Sequence, residues 1–195
     1  MDWTQYLIDT GDALRSVHPS SLYGLVGALR TARENGRTVF TCGNGGSAST
    51  ASHLAQDLAK GTLLPNQPRL RALCLCDSIP GLTAWANDEG YETAFAEQLK
   101  GLGRQGDLLI AISGSGNSPN VLNAVRAAHE LEMRTWGVCG FEGGELIHLT
   151  HRFVRVPCGD MGMVEAAHGV ILHWLIGALL EQTEKVFCPW GDSRT

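Results

Sequence analysis

The sequence has few of the features that mark secreted, membrane-spanning or nucleic-acid-binding proteins. Residues 1–5 contain no positively charged region followed by an apolar run, so we expect no signal peptide. We find no uninterrupted run of about 18 apolar residues and expect no membrane span. The longest apolar stretch, residues 169–180, contains His173 and two glycines and is expected to be a core or subunit-contact helix. A formal net charge of −5 argues against a nucleic-acid surface.

Motifs for structural zinc and for nucleotides are also missing. None of the six cysteines forms a CxxC pair, which makes a zinc ribbon unexpected. We interpret the cysteines as buried, reduced thiols of a cytosolic protein. No glycine-rich stretch continues into Gly-Lys-Ser/Thr, and none fits GxGxxG well, so we expect no nucleotide cofactor.

The residues that are present predict one α/β domain. The chain has 195 residues, of which 44% are hydrophobic and 18% charged, as in an ordinary globular protein. Apolar, β-rich runs occur at residues 38–42, 70–76, 108–113, 135–139 and 153–156. Because segments with helical periodicity separate most of these runs, we predict a parallel sheet with helices on both faces.

The remaining segments are assigned by periodicity and by turn residues. Helices are predicted at residues 3–17 and 21–35, before the first strand, and a long late helix at residues 163–185. Residues 61–68 contain two prolines and read as a loop. We take residues 1–187 as one domain and residues 188–195 as an irregular tail.

Two loops rich in glycine and serine follow predicted strands. The first runs from Cys42 to Thr50 as CGNGGSAST, and the second from Ser113 to Ser118 as SGSGNS. Glycines let the backbone approach a ligand closely, and hydroxyls and helix N-terminal N–H groups then converge on an anion. Such loops lie beyond the carboxyl ends of parallel strands, where ligands bind. The pair therefore predicts a phosphate site, although each loop by itself is also compatible with an ordinary turn.

In their order along the chain, these motifs resemble the sugar isomerase (SIS) domain superfamily. GNGGS at residues 43–47 precedes His53, and ISGSGNS at residues 112–118 precedes a late helix with an acid and a histidine. Within the superfamily the chain is most similar to the phosphoheptose isomerases. This resemblance implies a three-layer, flavodoxin-like fold with a five-stranded parallel sheet. It also implies a homotetramer with active sites at subunit interfaces, a sugar-phosphate substrate and, in some members, zinc.

The resemblance also assigns roles to individual residues. Asp57 and His173 are implied as catalytic groups, and Glu165, which matches a glutamine of the family, is added as an alternative base or as a carboxylate that strengthens a metal site. Phosphate and sugar contacts are implied for residues of the two loops and for one acid beyond the second strand: Asn44, Gly45, Gly46, Ser47, Asp88, Ser113, Gly114, Ser115 and Ser118. A possible zinc set consists of His53, Asp57, Glu165 and His173, because imidazole and carboxylate suit that ion.

Residue chemistry and spacing bear on these roles. Isomerisation through an enediol needs a base near a carbon-bound proton and an acid at the oxygens, which a carboxylate and a histidine supply. His53 and Asp57 have i, i+4 spacing and share a helix face, as an ordinary surface pair also would. Glu165 and His173 are separated by a rise of about 12 Å, so both reach one ion only by stretching or from two chains. His168 is expected to be a solvated or interface histidine, or a further ligand.

Several positions depart from the family pattern on the substrate side. Asp57 is one methylene shorter than the usual glutamate, and Gly61, beside Lys60, replaces an arginine. Gly114 replaces a threonine, Gly162 stands where a polar residue is often found, and Glu165 replaces a glutamine. A different but closely related sugar phosphate is therefore a possible substrate.

Two non-enzymatic alternatives remain open at this point. One is a non-catalytic SIS protein that binds a sugar phosphate or a partner such as the bacterial replication initiator. The other is a sugar-phosphate-sensing regulator, for which we find no helix-turn-helix region. Retention of four ionisable groups favours the isomerase.

Overall fold

A parallel five-stranded sheet forms the centre of the computed structural model, which describes residues 2–181. The strand order is β2-β1-β3-β4-β5. The strands are β1 (Thr38–Cys42), β2 (Arg71–Cys74), β3 (Leu108–Ser113), β4 (Arg134–Cys139) and β5 (Arg152–Arg155). Every neighbouring pair is parallel, with Val39 opposite Leu108 and Thr41 opposite Cys74. The predicted fold class is confirmed.

Helices precede the sheet and connect its strands. Their bounds are α1 (Trp3–Arg15), α2 (Pro19–Glu34), α3 (Gly46–Gln56), α4 (Ile79–Asp88), α5 (Ala94–Leu102), α6 (Pro119–Glu130), α7 (Leu146–Leu149) and α8 (Met161–Leu180). A π-helix, Asp57–Gly61, continues directly from α3. Asp2 and Asp160 accept backbone N–H groups at the starts of α1 and α8, which satisfies donors that a helix leaves free.

Side chains that alternate along the central strands build one core on each face of the sheet. On β3, Leu108, Ile110 and Ile112 pack with α1, α2, α3 and α8. Leu109 and Ala111 point the other way and pack with α5 and α6. Burial on both faces explains why β3 reads as a continuous apolar run.

The prediction for the second strand is too long. The ladder continues as far as Leu75, whose N–H donates to the Thr41 carbonyl at 2.9 Å. The chain then turns, and the N–H of Asp77 donates to the Cys74 carbonyl at 3.3 Å. The predicted loop at residues 61–68 also begins one residue too early, because Gly61 ends the π-helix.

Helix α8 begins at Met161, two residues earlier than predicted, and its described part ends at Leu180. By length and composition it is long and apolar enough to cross a membrane, with a hydropathy of 1.6 over an 18-residue window. The search for an uninterrupted apolar run did not identify α8, because its glycines and His173 interrupt the run. Of this window 44% is buried, and residues such as Val164 and Leu175 pack in the core against the sheet. A core helix passes the same test. The predicted end of this helix and the predicted tail lie outside the described residues.

Candidate active site

The two predicted anion-binding loops lie side by side at the carboxyl end of the sheet. They follow β1 and β3, which are neighbouring strands. The chain leaves β1 for β2 on one side and later forms β3 on the other, so the connections after β1 and β3 diverge. Such a point in a parallel sheet opens a crevice in which ligands bind. The predicted position of both loops is confirmed.

In the first loop, a tight glycine turn leads into α3. Gly45 is the N-cap residue, with φ of 53° and ψ of −124°, and it offers no side chain to the first turn of α3. A Cβ at Gly43 would lie 2.6 Å from the Ser47 carbonyl oxygen, so only glycine fits there. Ser47 is buried beneath the turn. Backbone N–H groups at the start of α3 are therefore left to face a ligand.

In the second loop, hydroxyls are brought together by internal hydrogen bonds. The Oγ atoms of Ser113 and Ser118 lie 3.1 Å apart. The N–H of Gly116, at φ 70°, donates to Ser113 Oγ at 3.2 Å, and the N–H of Asn117 donates to Ser115 Oγ at 3.2 Å. Ser118 is the N-cap residue of α6, and Pro119 opens that helix. Three serines thus surround a helix N-terminus, an arrangement that suits a phosphate.

An amide pair that the sequence did not predict joins the two loops. Asn44 Nδ2 donates to Asn120 Oδ1 at 2.8 Å, and Asn120 Nδ2 donates to Asn44 Oδ1 at 2.9 Å. The Tyr91 hydroxyl donates to the same Asn44 oxygen at 2.7 Å. Asn120, in the first turn of the helix after the serine loop, is the polar signal that sequence reasoning missed. The pair sets the distance between the two loops.

His53, Asp57 and His173 form a cluster of ligating side chains. His53 Nε2 lies 3.2 Å from Asp57 Oδ2. The rings of His53 and His173 lie edge to face with centroids 5.0 Å apart, and one ligand atom of each of the three residues lies within 4.8 Å of the others. Zinc binds nitrogen at about 2.1 Å, so its ligands lie at most about 4 Å apart and a small side-chain rotation suffices. Two imidazoles and a carboxylate therefore fit a divalent ion.

The fourth residue of the predicted zinc set lies elsewhere in the same chain. The Glu165 carboxylate packs against Gly46, the first residue of α3, where a Cβ would collide with both carboxylate oxygens. Among residues 2–181, the group that could hold an ion consists of His53, Asp57 and His173 without Glu165. The reason is geometric, since Glu165 lies eight residues before His173, a rise of about 12 Å on a straight helix. A carboxylate is instead stabilised by the positive end of α3.

Asp88 lies at the edge of this region. It is the last residue of α4, is exposed, and accepts a hydrogen bond from Asn87 Nδ2 at 2.7 Å. Tyr91, three residues later, contacts the first loop through Asn44. Asp88 is thus three residues from a side chain that contacts the first loop, and its role at the pocket rim stays a prediction.

His168 is neither solvated nor a ligand. It is fully buried, and its Nε2 lies 3.2 Å from the Cys139 carbonyl oxygen, to which it donates. Burial lowers the pKa of this imidazole, so it is neutral. Its Nδ1 has no hydrogen-bond partner among the described residues. The prediction of a solvated or interface histidine is wrong because α8 presents this position to the sheet.

The structure accounts for two departures from the family pattern. A Cβ at Gly114 would collide with Met161 Sδ, so Met161 occupies the space that a threonine side chain would need. Gly61 lies against Asp57, with its hypothetical Cβ 3.7 Å from the Asp57 Cβ. Lys60 is exposed on the π-helix. A larger side chain at Gly61 would therefore start in contact with the shortened carboxylate and with Ile176.

Two cavities of about 690 Å³ lie away from the two loops. Both are lined by Trp136, His151 and Arg152, and one of them extends along β5 to Pro157. Neither is lined by a residue of the two loops. The chemistry of their side chains, and not a cavity volume, identifies the two loops as the candidate site.

Comparison with known proteins gives a consistent set of relatives. The family model described as SIS domain matches residues 2–140. The phosphoheptose isomerase of Helicobacter pylori is 41% identical over 162 residues, which cover 80% of this chain and 84% of that protein. The phosphoheptose isomerase of Mycobacterium tuberculosis is 44% identical over 155 residues, covering 79% and 76%. The solved structure of phosphoheptose isomerase from Neisseria gonorrhoeae has a TM-score of 0.83 at 28% identity and covers 91% of this chain and 94% of that one.

Proposed function

We propose that this chain, which belongs to the SIS domain family and within it to the phosphoheptose isomerases, is a sugar-phosphate aldose–ketose isomerase. Its substrate is sedoheptulose 7-phosphate, converted to glycero-manno-heptose 7-phosphate, or a closely related sugar phosphate. The observation that carries the proposal is a serine-rich anion loop at the carboxyl end of the sheet in the same chain as a cluster of two imidazoles and a carboxylate. A protein that only binds a sugar phosphate needs the first feature and not the second.

Substrate binding begins at the second loop. Ser113, Ser115 and Ser118, with Gly114 and the N-terminus of α6, bind the phosphate group. The sugar then extends toward the first loop, where Asn44, Gly45, Gly46 and Ser47 contact its hydroxyls, with Asp88 at the rim. The hydrogen bonds between Asn44 and Asn120 hold the loops in register for a substrate that touches both.

Proton transfer is the chemical step. A carboxylate removes the proton from the carbon beside the carbonyl, and an imidazole exchanges a proton with the oxygens, which gives an enediol. Return of the proton to the neighbouring carbon converts the ketose to the aldose without net oxidation. Asp57 and Glu165 supply the carboxylates and His173 the imidazole. Glu165 lies at the first loop, where the sugar passes.

A divalent ion, with zinc as first choice, fits His53, Asp57 and His173. When bound, such an ion polarises substrate oxygens as a Lewis acid. The three side chains position the ion near the end of α3, and Glu165 stays outside this set as a free carboxylate. With the ion bound, Asp57 and His173 would serve as its ligands, and Glu165 would be the carboxylate left to move the proton.

The active form is proposed to be a homotetramer with its sites at subunit interfaces. Helix α1 exposes Trp3 (69%), Leu7 (51%) and Ile8 (50%), and α8 exposes Val170 (53%). Exposed apolar side chains on these two packed helices indicate a surface that another copy covers. Light scattering is expected to give four chains, and a monomeric mass contradicts this assembly.

The protein is placed in the cytoplasm. The five cysteines among the described residues are free thiols, which suits a reducing compartment.

The test is a proton NMR time course with sedoheptulose 7-phosphate, before and after chelation and zinc return. New aldose anomeric signals are expected, and Asp57→Asn and His173→Ala should each remove them. His129→Ala is the matched control, since His129 is exposed in the last turn of α6, at the end opposite the serine loop. Saturable binding without turnover contradicts an isomerase of this substrate and favours a binding protein.

A further inference from the structure

A pair of thiols lies directly behind the first loop. Cys74 ends β2, and Cys76 follows in the turn. Both are only partly buried, in contrast to Cys42 and Cys139. The prediction that the cysteines are buried is therefore wrong for these two, because β2 is an edge strand whose residues are covered from one side only.

The two sulfur atoms are held in one hydrogen-bonded group. The N–H of Cys76 donates to Cys74 Sγ at 3.4 Å. Contact with Cys76, with smaller help from Thr41, lowers the pKa of Cys74, and the same contact raises that of Cys76. Cys74 is thus the nucleophilic member of the pair, and Cys76 keeps its proton.

The spacing allows the two thiols to join. Residues i and i+2 of an extended strand lie about 6.6 Å apart, which is near the upper limit of about 6.8 Å for the Cα atoms of a disulfide. The turn at Cys76 shortens this distance. Cys42 is a poorer nucleophile than Cys74, since it is fully buried and burial raises its pKa.

The pair is connected to the proposed substrate site by one contact. Cys76 Sγ donates to the Gly43 carbonyl oxygen at 3.3 Å. Gly43 opens the Gly-Asn-Gly-Gly-Ser turn and is confined by the backbone, since a Cβ there would lie 2.6 Å from the Ser47 oxygen and 3.0 Å from the Ile112 oxygen. A change at Cys76 therefore reaches the turn that presents Asn44 and the start of α3.

We propose that Cys74 and Cys76 are a redox modification site, at which a hydroperoxide forms a disulfide that disables the adjacent sugar-phosphate loop. The Cys74 thiolate attacks the peroxide, the O–O bond breaks, and a sulfenic acid forms with release of hydroxide. Cys76 sulfur then attacks the sulfenic sulfur, the S–O bond breaks, and water leaves with the Cys76 proton. Two thiols and one hydrogen peroxide give one disulfide and two waters.

Loss of activity follows from loss of the Cys76 S–H, which donates to the Gly43 carbonyl oxygen in the reduced protein. In the disulfide Cys76 has no S–H, so the Gly43 carbonyl loses its hydrogen bond and the sulfur moves toward Cys74. Catalytic geometry is sensitive to displacements of about 1 Å, which can cost on the order of a hundredfold in rate. This part of the inference rests on the proposed isomerase, whereas disulfide formation does not.

The experiment treats the reduced full-length protein with hydrogen peroxide and digests it with trypsin after blocking of free thiols. Residues 72–100 form one tryptic peptide, because Arg71 and Lys100 flank it and it contains no other Lys or Arg. Cys74 and Cys76 are its only cysteines. We expect this peptide to lose two hydrogens and its reactivity toward alkylating reagents, and dithiothreitol to restore both.

Activity and binding are measured on the same samples. Oxidation is expected to lower sedoheptulose 7-phosphate turnover and affinity at least tenfold, reversibly. Cys74→Ser and Cys76→Ser should resist this loss, because a serine at either position prevents the disulfide, and the hydroxyl introduced by Cys76→Ser can still donate to Gly43. Cys158→Ser is the matched control and should remain sensitive, since Cys158 is also partly buried but lies outside the pair.

Two results overturn the inference. One is a peptide that keeps both thiols, or carries only added oxygen, after peroxide treatment. The other is a disulfide that forms without loss of affinity or turnover. A reduced protein without turnover counts against the proposed isomerase instead, and the peptide mass then still decides whether the thiols pair.

Discussion

Replacing Gly43 with alanine tests whether the first loop is built as tightly as the structure indicates. The new Cβ would lie 2.6 Å from the Ser47 carbonyl oxygen, 2.7 Å from the Ser47 carbonyl carbon and 3.0 Å from the Ile112 carbonyl oxygen. All three are backbone atoms of α3 and β3, which cannot turn aside as a flexible side chain can. The loop must therefore shift away from one of them.

The expected loss of stability follows from the contact of the new Cβ with backbone atoms. Overpacking of a well-packed region costs about 1–3 kcal/mol. For a domain of this size 1 kcal/mol corresponds to about 2–4 °C in Tm, so a cost of about 2 kcal/mol lowers Tm by about 4–8 °C. A shift of the turn also moves the N–H groups at the start of α3, and sugar-phosphate affinity should fall with stability.

Two other glycines serve as controls in the same thermal unfolding assay at equal protein concentration. At Gly27, on the exposed side of α2, an added Cβ meets nothing within 4 Å, so alanine should raise stability by about 0.5–1 kcal/mol. At Gly114 the added Cβ meets the end of the flexible Met161 side chain, and a smaller loss than at Gly43 is expected. A Gly43→Ala protein as stable as Gly27→Ala, with unchanged calorimetric affinity, refutes the reasoning.

Three further outcomes follow from the site and the core. Glu165→Gln should keep sugar-phosphate affinity within about threefold. If the Glu165 carboxylate moves the proton, this change should lower turnover, measured by NMR, by about 10²-fold or more, whereas an unchanged rate leaves that role to Asp57. Burial lowers the pKa of His168 in the folded protein, so as pH is lowered the unfolded chain binds a proton at this histidine before the folded chain does. The free energy of unfolding should therefore fall as pH decreases from the ordinary pKa of 6.5 toward the lowered value. His168→Leu should flatten this dependence in urea titrations. Zinc titration after chelation should give one ion per chain, and His173→Ala should weaken its binding about tenfold or more; equal affinity for the two proteins contradicts the site.

Much of the fold was predictable because its signals are local. A strand buried on both faces reads as a continuous apolar run, and the bounds of β1 and β3 were predicted to the residue. Turn chemistry at the strand ends located both loops. The π-helix Asp57–Gly61 was not predicted, since its sequence reads as the end of a helix and the start of a loop.

The environments of the histidines could not be predicted from local sequence. His53, His168 and His173 look alike as ionisable residues on helices. Only packing shows that His168 faces the sheet and bonds to Cys139, while the other two meet beside Asp57. A helix face becomes buried or exposed according to which elements cover it, and the chain segments that do so are distant in sequence.

The sequence by itself determined the α/β class, the order of elements along the chain and the two anion-binding loops, because periodicity, glycines and hydroxyls act within a few residues. The tertiary structure decided which side chains meet. It joined Asn44 to Asn120, 76 positions away, set Glu165 against Gly46 and apart from the cluster of His53, Asp57 and His173, and placed Cys76 behind Gly43. Those contacts depend on the order of strands in the sheet and on how helices pack across it, which no local pattern encodes.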